Sequence, residues 1–338
     1  MALLIDPPLW PAHGTLWSHL VSDSSLEELH GFAARLGLGR RAFDLDHYDV
    51  PAERHADCVA AGAQDVSGRD LIRRLRASGL RVPARERGAA KAAALLARWD
   101  ATLPGSPGAR EVGEELLARW HEPHRVYHGP AHLVHVLDSL AVLEGRTPGV
   151  PSSGEAPPSG TSLRAQLALW FHDAVHEGVA GHDEEASAVL AVARLSALVP
   201  GPTTSLTGGG PAARGGARLT PDDVAEVARL VRLTATHDPA PDDVVGALVC
   251  DADLAVLGSE PDRYARYVRQ VRAEYAHVPD EQFRAGRAAA LRQLLALPSL
   301  FRTPVGRERW QARAEDNLRT ELAGLTASGP ASEDDPRR

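Results

Sequence analysis

From about residue 88 onward, apolar residues recur every three to four positions, the spacing that lines one face of a helix. The first eighty residues read differently, as short apolar runs mixed with amphipathic segments. "ALLID" is a strand ending at an Asp-Pro-Pro break, and the chain from there enters a turn. "SSLEELHGFAARLGL" places Leu26, Leu29, Phe32, Ala33 and Leu36 at helical spacing, with Ser24 or Ser25 as cap and Gly37 as stop. "RRAFDLDHYDVP" reads as a second strand and "SGRDLIRRLRASGL" as a second helix. In the helical part, "LALWFHDAVHE" (167–177) stands out. Leu167, Leu169, Trp170, Phe171, Ala174 and Val175 read as a buried helix that carries His172 and Asp173 side by side.

Two stretches, 145–162 and 200–220, are rich in Gly, Pro, Ser and Thr and almost lack large apolar residues. They read as flexible surface loops, more readily plain insertions than gates. The tail "ASGPASEDDPRR" reads as disordered. A chain of 338 residues suggests two domains, with the boundary near "VPARERGAAK". The expected organisation is a small α/β domain over 1–83, a linker and first helix over 84–110, a helical domain over 88–325 and a disordered tail over 326–338. The fold class is therefore mainly α, an all-α domain preceded by a small α/β domain.

Composition narrows the function. No run of 18 apolar residues occurs, and the first residues lack the basic start and apolar core of a signal peptide, so no membrane role is expected. Cys58 and Cys250 lie far apart, which argues against a disulfide framework and suits a reducing cytoplasm. A net charge of -8 makes general nucleic-acid binding a poor expectation. Nearly all the basic residues are arginine, Lys91 being the single lysine. Oligomeric state is not legible.

Four helical segments bring ionisable groups into apolar surroundings. "RVYHGPAHLVHVLDSLAVL" starts a helix at Pro130, where a missing N–H is no loss, and sets His132 on the stripe of Val136 and Leu140. His128 stands at its entry and His135 about one turn beyond His132. The His172–Asp173 pair is the second segment. The third runs from a capping box at Thr220 and Asp223 to His237, just ahead of a proline. In the fourth, "DDVVGALVCDADLAVLG", Asp251 and Asp253 interrupt an apolar run, so at least one acid is buried, and a buried acid without a cation is strongly destabilising. A lone helix histidine is usually an ordinary core or surface residue, and His-Asp is a common dipeptide. The ordered set of His, His-Asp, His and Asp on successive helices is what points to a divalent transition metal, Mn, Fe, Co, Ni or Zn.

With these motifs in view, residues 88–325 resemble the HD superfamily of metal-dependent phosphohydrolases. The match is closest to a bacterial subgroup with Y-H-x-x-x-H, F-H-D-A-V and D-A-D-L-x-x-L-G, here Tyr127 to His132, Phe171 to Val175 and Asp251 to Gly258. "DEEASA" around Glu184, "TATH" ending at His237, "VRAEY" (271–275), Gly286-Arg287 and "ARAEDNL" (312–318) match further. The chain departs from the subgroup at His176 and Asp183. The resemblance implies metal ligands at His132, His172, Asp173 and Asp253, with Asp251 competing for the last place. It implies one ion or a close pair, with His128, His135 and His237 as further ligands or supports. The implied substrate is a nucleotide or other small phosphate ester. Asp173 and Glu184 are the implied catalytic carboxylates and Arg272 and Arg287 the implied phosphate contacts, with Arg125, just before the first histidines, a further candidate.

In that reading the metal lowers the pKa of water from about 15.7 toward about 7 and draws charge from a phosphoryl oxygen. Two other readings compete: an HD-like di-iron oxygenase, for which the spare histidines would serve, and a non-catalytic nucleotide- or signal-binding module. The first eighty residues resemble a small bacterial domain of unknown function, through "IDPPLWPAHGTLWSHLVSD", "RRAFDLDHYDVPAER" and "AGAQDVSGRDLIRRL". There Asp6, His13, His19, Asp23, His47 and Asp49 either converge on a ligand or serve structure.

Overall fold

The computed structural model describes residues 2–12, 14–146, 148, 160–179, 181–200 and 219–327. His13, the tail beyond 327 and most of the two Gly/Pro-rich stretches lie outside the described residues. The chain divides into two compact units, Met1–Leu95 and Leu96–Arg338. The protein is mainly helical, and among the described residues every strand belongs to the first unit.

The first unit is built on β1 (Leu3–Ile5), β2 (Trp10–Ala12), β3 (Thr15–Ser22), β4 (Tyr48–Pro51) and β5 (Gln64–Asp65). β1 and β2 pair antiparallel with successive parts of β3, Ile5 facing Leu20 and Trp10 facing Trp17. Pro7 and Pro8, which lack N–H donors, fall in the break between them. β4 runs antiparallel along β3's other edge, with His19 opposite Asp49, and β5 lies parallel to β1. The "RRAFDLDHYDVP" stretch yields a strand only in its last part, because Arg40–Ala42 form a 3-10 turn.

Period-two alternation sends Ile5, Leu20, Tyr48 and Val50 to one face. There they meet Leu29, Phe32 and Ala33 of α1 (Leu26–Arg35) and Cys58 of α2 (Ala52–Ala60). Leu4 and Val21 pack on the other face against Leu71 and Leu75 of α3 (Gly68–Ala77). Ser25 and Ser67 cap α1 and α3 through their hydroxyls. Both cysteines are free and buried.

His30, on α1, meets the Tyr48 hydroxyl at 3.1 Å through Nδ1. Burial, aided by the charge of Arg40, pulls its pKa down to about 4. A folded value below the unfolded value of about 6.5 favours the neutral ring in the fold. Its contribution is therefore complete above pH 6.5 and fades as pH falls toward 4. Allowing for solvent screening of a partly exposed ring, the loss is on the order of 1 kcal/mol. Chemical unfolding of the full chain at pH 7 and pH 5 should show this loss in the first unit, and His30→Gln should reduce it.

The second unit opens in α4 (Arg87–Thr102), which crosses the division between units. It continues through α5 (Ala109–Trp120), α6 (Pro130–Leu143), α7 (Gly160–Phe171), α8 (His182–Ser196), α9 (Pro221–Leu233) and α10 (Val244–Leu254). After a 3-10 turn come α11 (Pro261–Glu274), α12 (Asp280–Leu295) and the short α13 (Pro304–Gly306). A π-helical stretch at Arg307–Gln311 then leads into α14 (Ala312–Ala327). α7 is apolar on nearly every side, with Leu163, Leu167, Leu169, Trp170 and Phe171 buried, and it packs among α6, α9 and α10. It starts at Gly160, inside the segment read as a loop, and it ends at Phe171. His172 and Asp173 therefore sit in the turn just past a helix end, not within a helix running through Val175. Their backbone stays attached, since the His172 N–H donates to the Ala168 carbonyl at 2.8 Å. Among the described residues no helix is long and apolar enough to cross a membrane.

Candidate functional site

Four side chains from three neighbouring segments meet in the second unit. α6 supplies His132, the turn after α7 supplies His172 and Asp173, and the last turn of α10 supplies Asp253. His132 Nε2 lies 3.2 Å from His172 Nε2, 3.5 Å from Asp173 Oδ2 and 3.2 Å from Asp253 Oδ1. His172 Nε2 lies 3.0 Å from Asp173 Oδ2 and 3.5 Å from Asp253 Oδ1. Both imidazoles are buried.

The orientation of the rings is set from behind. His172 Nδ1 lies 2.9 Å from the Leu169 carbonyl, which can only accept, so Nδ1 carries a proton and Nε2 is the nitrogen that faces the cluster. Trp120 packs on both rings, at centroid distances of 6.2 Å to His132 and 5.5 Å to His172, and Tyr127 packs on His132 at 4.8 Å. Asp253 turns its second oxygen to His237 Nε2 at 2.8 Å. His237 follows α9 in a left-handed backbone conformation, φ 53°. This conformation is uncommon outside glycine, though His adopts it more readily than most residues. The Asp173 and Ala174 carbonyls are held by the Arg125 guanidinium at 2.6 and 3.2 Å.

The donor set fits a divalent transition metal. Ligand atoms about 2.1 Å from a tetrahedral ion stand roughly 3.4 Å apart, close to the five separations above, each of which involves an imidazole. Two imidazole nitrogens and two carboxylate oxygens are the ligand types such an ion takes. Without an ion the cluster must share protons. Burial opposes charge on His172, yet Asp173 and Asp253 hold its pKa well above the ordinary range. Asp173 is likewise held well below the carboxylate range: burial opposes the charge, and His172 and His132 outweigh it.

Residues 3–78 match a family model described as a protein of unknown function (DUF4031). That match covers the sheet unit alone. No curated protein and no solved structure matches the chain.

The remaining expected site residues separate. Asp251, the competitor of Asp253, is fully buried on the opposite side of α10, because residues two apart point about 200° apart around a helix. Its oxygens accept from the Arg302 and Thr303 backbone N–H groups at 2.7 and 2.8 Å and from the Thr303 hydroxyl at 2.6 Å. It belongs to the start of α13, not to the cluster. His135 faces Arg263, at 3.2 Å through Nδ1. Glu184 accepts through Oε2 from the Gly181 N–H at 2.6 Å at the start of α8, so one of its oxygens serves the helix end.

The three arginines expected to hold phosphate each have partners within the chain. Arg125 is spent on backbone carbonyls and Glu122. Arg272 pairs with Asp280 and stacks on Phe283. Arg287 pairs with Glu321 beneath the Tyr267 ring. Each guanidinium already has a carboxylate partner, and Arg125 and Arg272 hold backbone carbonyls as well.

Two residues join the site that the sequence reading did not single out. Glu274, at the end of α11, accepts through Oε2 from the backbone N–H groups of Val126, Tyr127 and His128 at 2.7, 2.9 and 3.0 Å. Its Oε1 meets His128 Nδ1 at 2.5 Å and His176 Nε2 at 3.1 Å. Burial opposes its charge, but His128 and His176 keep its carboxyl far below the ordinary range. This second His-His-Glu group adjoins the first, the His128 and His132 rings lying 5.5 Å apart. Arg263 is the other. Its guanidinium lies 3.2 Å from His135 Nδ1, and among the described residues it forms no ion pair with a carboxylate. Glu274 had a readable signal, being an acid on the Tyr267–Val271 stripe of α11.

Proposed function

We propose that the second unit is a metal-dependent phosphohydrolase of the HD type, acting on a nucleotide or other small phosphate ester. The observation that carries this reading is that His132 and His172 lie 3.2 Å apart and each lies 3.0–3.5 Å from both Asp173 and Asp253, in the chain order H…HD…D. A divalent transition metal held by these four residues would supply Lewis acidity at a phosphoryl oxygen and water activated at neutral pH.

The chain's own groups do the rest. His237 fixes the second oxygen of Asp253, so this carboxylate presents one oxygen in a set direction. Arg125 anchors the turn bearing Asp173 by its backbone and leaves the carboxylate uncommitted to arginine. Arg263, half-buried and without a carboxylate ion pair, is the guanidinium available for a phosphoryl group, which its fork suits in charge and shape. His128 and His176, both on Glu274, hold exchangeable protons beside the cluster.

A second reading draws on that same group. Two extra imidazoles and an acid next to the four-residue set are what a di-iron oxygenase would use. Both readings are tested on full-length protein loaded in turn with Mn, Fe, Co, Ni and Zn and offered a panel of nucleotides and phosphomonoesters. The hydrolase predicts phosphate release that persists without oxygen, and Arg263→Ala should raise KM more than it lowers kcat. Oxygen consumption by the iron form without phosphate release would favour the oxygenase. No turnover of any ester would reject the hydrolase.

A further inference from the structure

The first unit contains its own histidine–carboxylate cluster, built by strand register. Leu20, Tyr48 and Val50 point into the core below α1 and α2, so by alternation His19, His47 and Asp49 point to the opposite face. The β3–β4 pairing then sets His19 directly across from Asp49, with His47 two residues before it. The His19 and His47 rings stand edge to face, 5.0 Å apart. Asp49 Oδ1 lies 3.4 Å from His47 Nε2 and 4.0 Å from His19 Nε2.

Behind this face, each ring is gripped at its other nitrogen by a buried acid. Asp6 Oδ2 lies 3.0 Å from His19 Nδ1, and Asp46 Oδ1 lies 2.6 Å from His47 Nδ1. Simple charge pairing does not account for the grip of Asp46, which has other cations, and Asp6 serves neutral donors as well. Asp46 already faces Arg81 at 3.2 Å and Arg87 at 3.5 Å and accepts from the Val82 N–H at 2.8 Å. Asp6 accepts from the His19 N–H at 2.5 Å and from the Trp10 indole at 3.3 Å. A carboxylate on Nδ1 fixes the ring and aims Nε2 outward, as in metal-ligating histidines. Here two such rings are aimed at one carboxylate that is 46% exposed.

We infer that His19 Nε2, His47 Nε2 and Asp49 form a divalent transition-metal site in the first unit, oriented by Asp6 and Asp46 and distinct from the cluster of the second unit. One ligand atom from each of the three lies within 4.8 Å of the others, so a modest closing movement completes the set. Three protein ligands leave coordination positions open on the exposed side, the pattern of reactive metal sites more than of closed structural ones. The inference does not rest on the function proposed for the second unit.

Its test uses the full-length chain carrying His172→Ala and Asp173→Ala, which removes two of the four groups in the second unit. Cobalt(II) is titrated, with visible absorption and metal per chain after gel filtration as readouts. The expected result is one bound equivalent with the absorption of a histidine-ligated ion. Adding Asp49→Asn, a half-exposed and nearly isosteric change, should weaken that binding at least tenfold with the circular dichroism unchanged. His47→Gln should do the same where it folds. A folded His172→Ala/Asp173→Ala chain that takes up no cobalt, or binding unaltered by Asp49→Asn, would overturn the inference. The second-unit site is read separately, by comparing the wild type with the His172→Ala/Asp173→Ala chain.

Discussion

Asp253→Asn should leave the second unit folded and remove its tight metal binding. The amide keeps the shape of the side chain and loses its charge, and an amide oxygen is a far weaker ligand than a carboxylate for a transition metal. Residues that merely support ligands change metal affinity by about 10–100-fold, so loss of a ligand should cost at least about 100-fold. Hydrolysis should fall further. Charge stabilisation by a metal is worth several kcal/mol, and about 4 kcal/mol corresponds to roughly 10^3 in rate. The substitution also changes proton uptake. Although burial opposes it, Asp173 and Asp253 favour an imidazolium at His172, so metal binding to the wild type must expel a proton and weaken as pH falls. With Asp253 neutral, that proton release should shrink. Calorimetry in buffers of different ionisation enthalpy measures affinity and proton release together. Unchanged affinity would show that Asp253 is not a ligand.

Asp251→Ala should have the opposite signature, a large loss of stability without a specific loss of metal. The carboxylate is fully buried and satisfies two backbone N–H groups and the Thr303 hydroxyl. Burial pushes its pKa up despite these donors. Alanine leaves three donors without their acceptor, at about 1–3 kcal/mol each where water does not relieve them. A net cost of about 3–5 kcal/mol is a large share of the ~5–15 kcal/mol that holds a typical domain together. Gly306 adds to the constraint, since a side-chain carbon there would meet Asp251 Oδ2 at 2.4 Å, so the loop cannot easily repack around the gap. Asp251→Asn retains one carbonyl acceptor and should be milder. Urea unfolding of both variants gives the stability, and metal per chain on the folded Asp251→Asn protein should equal the wild type. A stable Asp251→Asn protein that has lost its metal would reverse the two aspartates' roles.

The contrast between these acids shows where sequence reading reaches and where it stops. Both interrupt the same apolar run, so both are legibly buried. Which one meets the histidines depends on how α10 is rotated against α6 and α7, and that rotation is set by packing of distant segments. The helices themselves, with their caps at Ser25, Ser67 and Thr220, follow from local spacing and hydroxyl chemistry. The end of α7 does not, because Ala174 and Val175 continue the apolar pattern while the backbone turns away. Arg272 and Arg287 sit in motifs that resemble a phosphate-handling family, yet their carboxylate partners come from residues 8 and 34 positions away. Arg263 shows the reverse, since having no such partner is a property of the fold and leaves no mark in the sequence. In the first unit, the facing of His19 and Asp49 needs the β3–β4 register, a pairing across 30 residues.

The most direct test of the account is metal per chain in protein purified without chelator or affinity metal, wild type beside a folded His172→Ala/Asp173→Ala variant. The account predicts that the wild type carries at least one more equivalent of a transition metal than the variant. Equal metal in the two, even after reloading with Mn, Fe, Co, Ni or Zn, would contradict it.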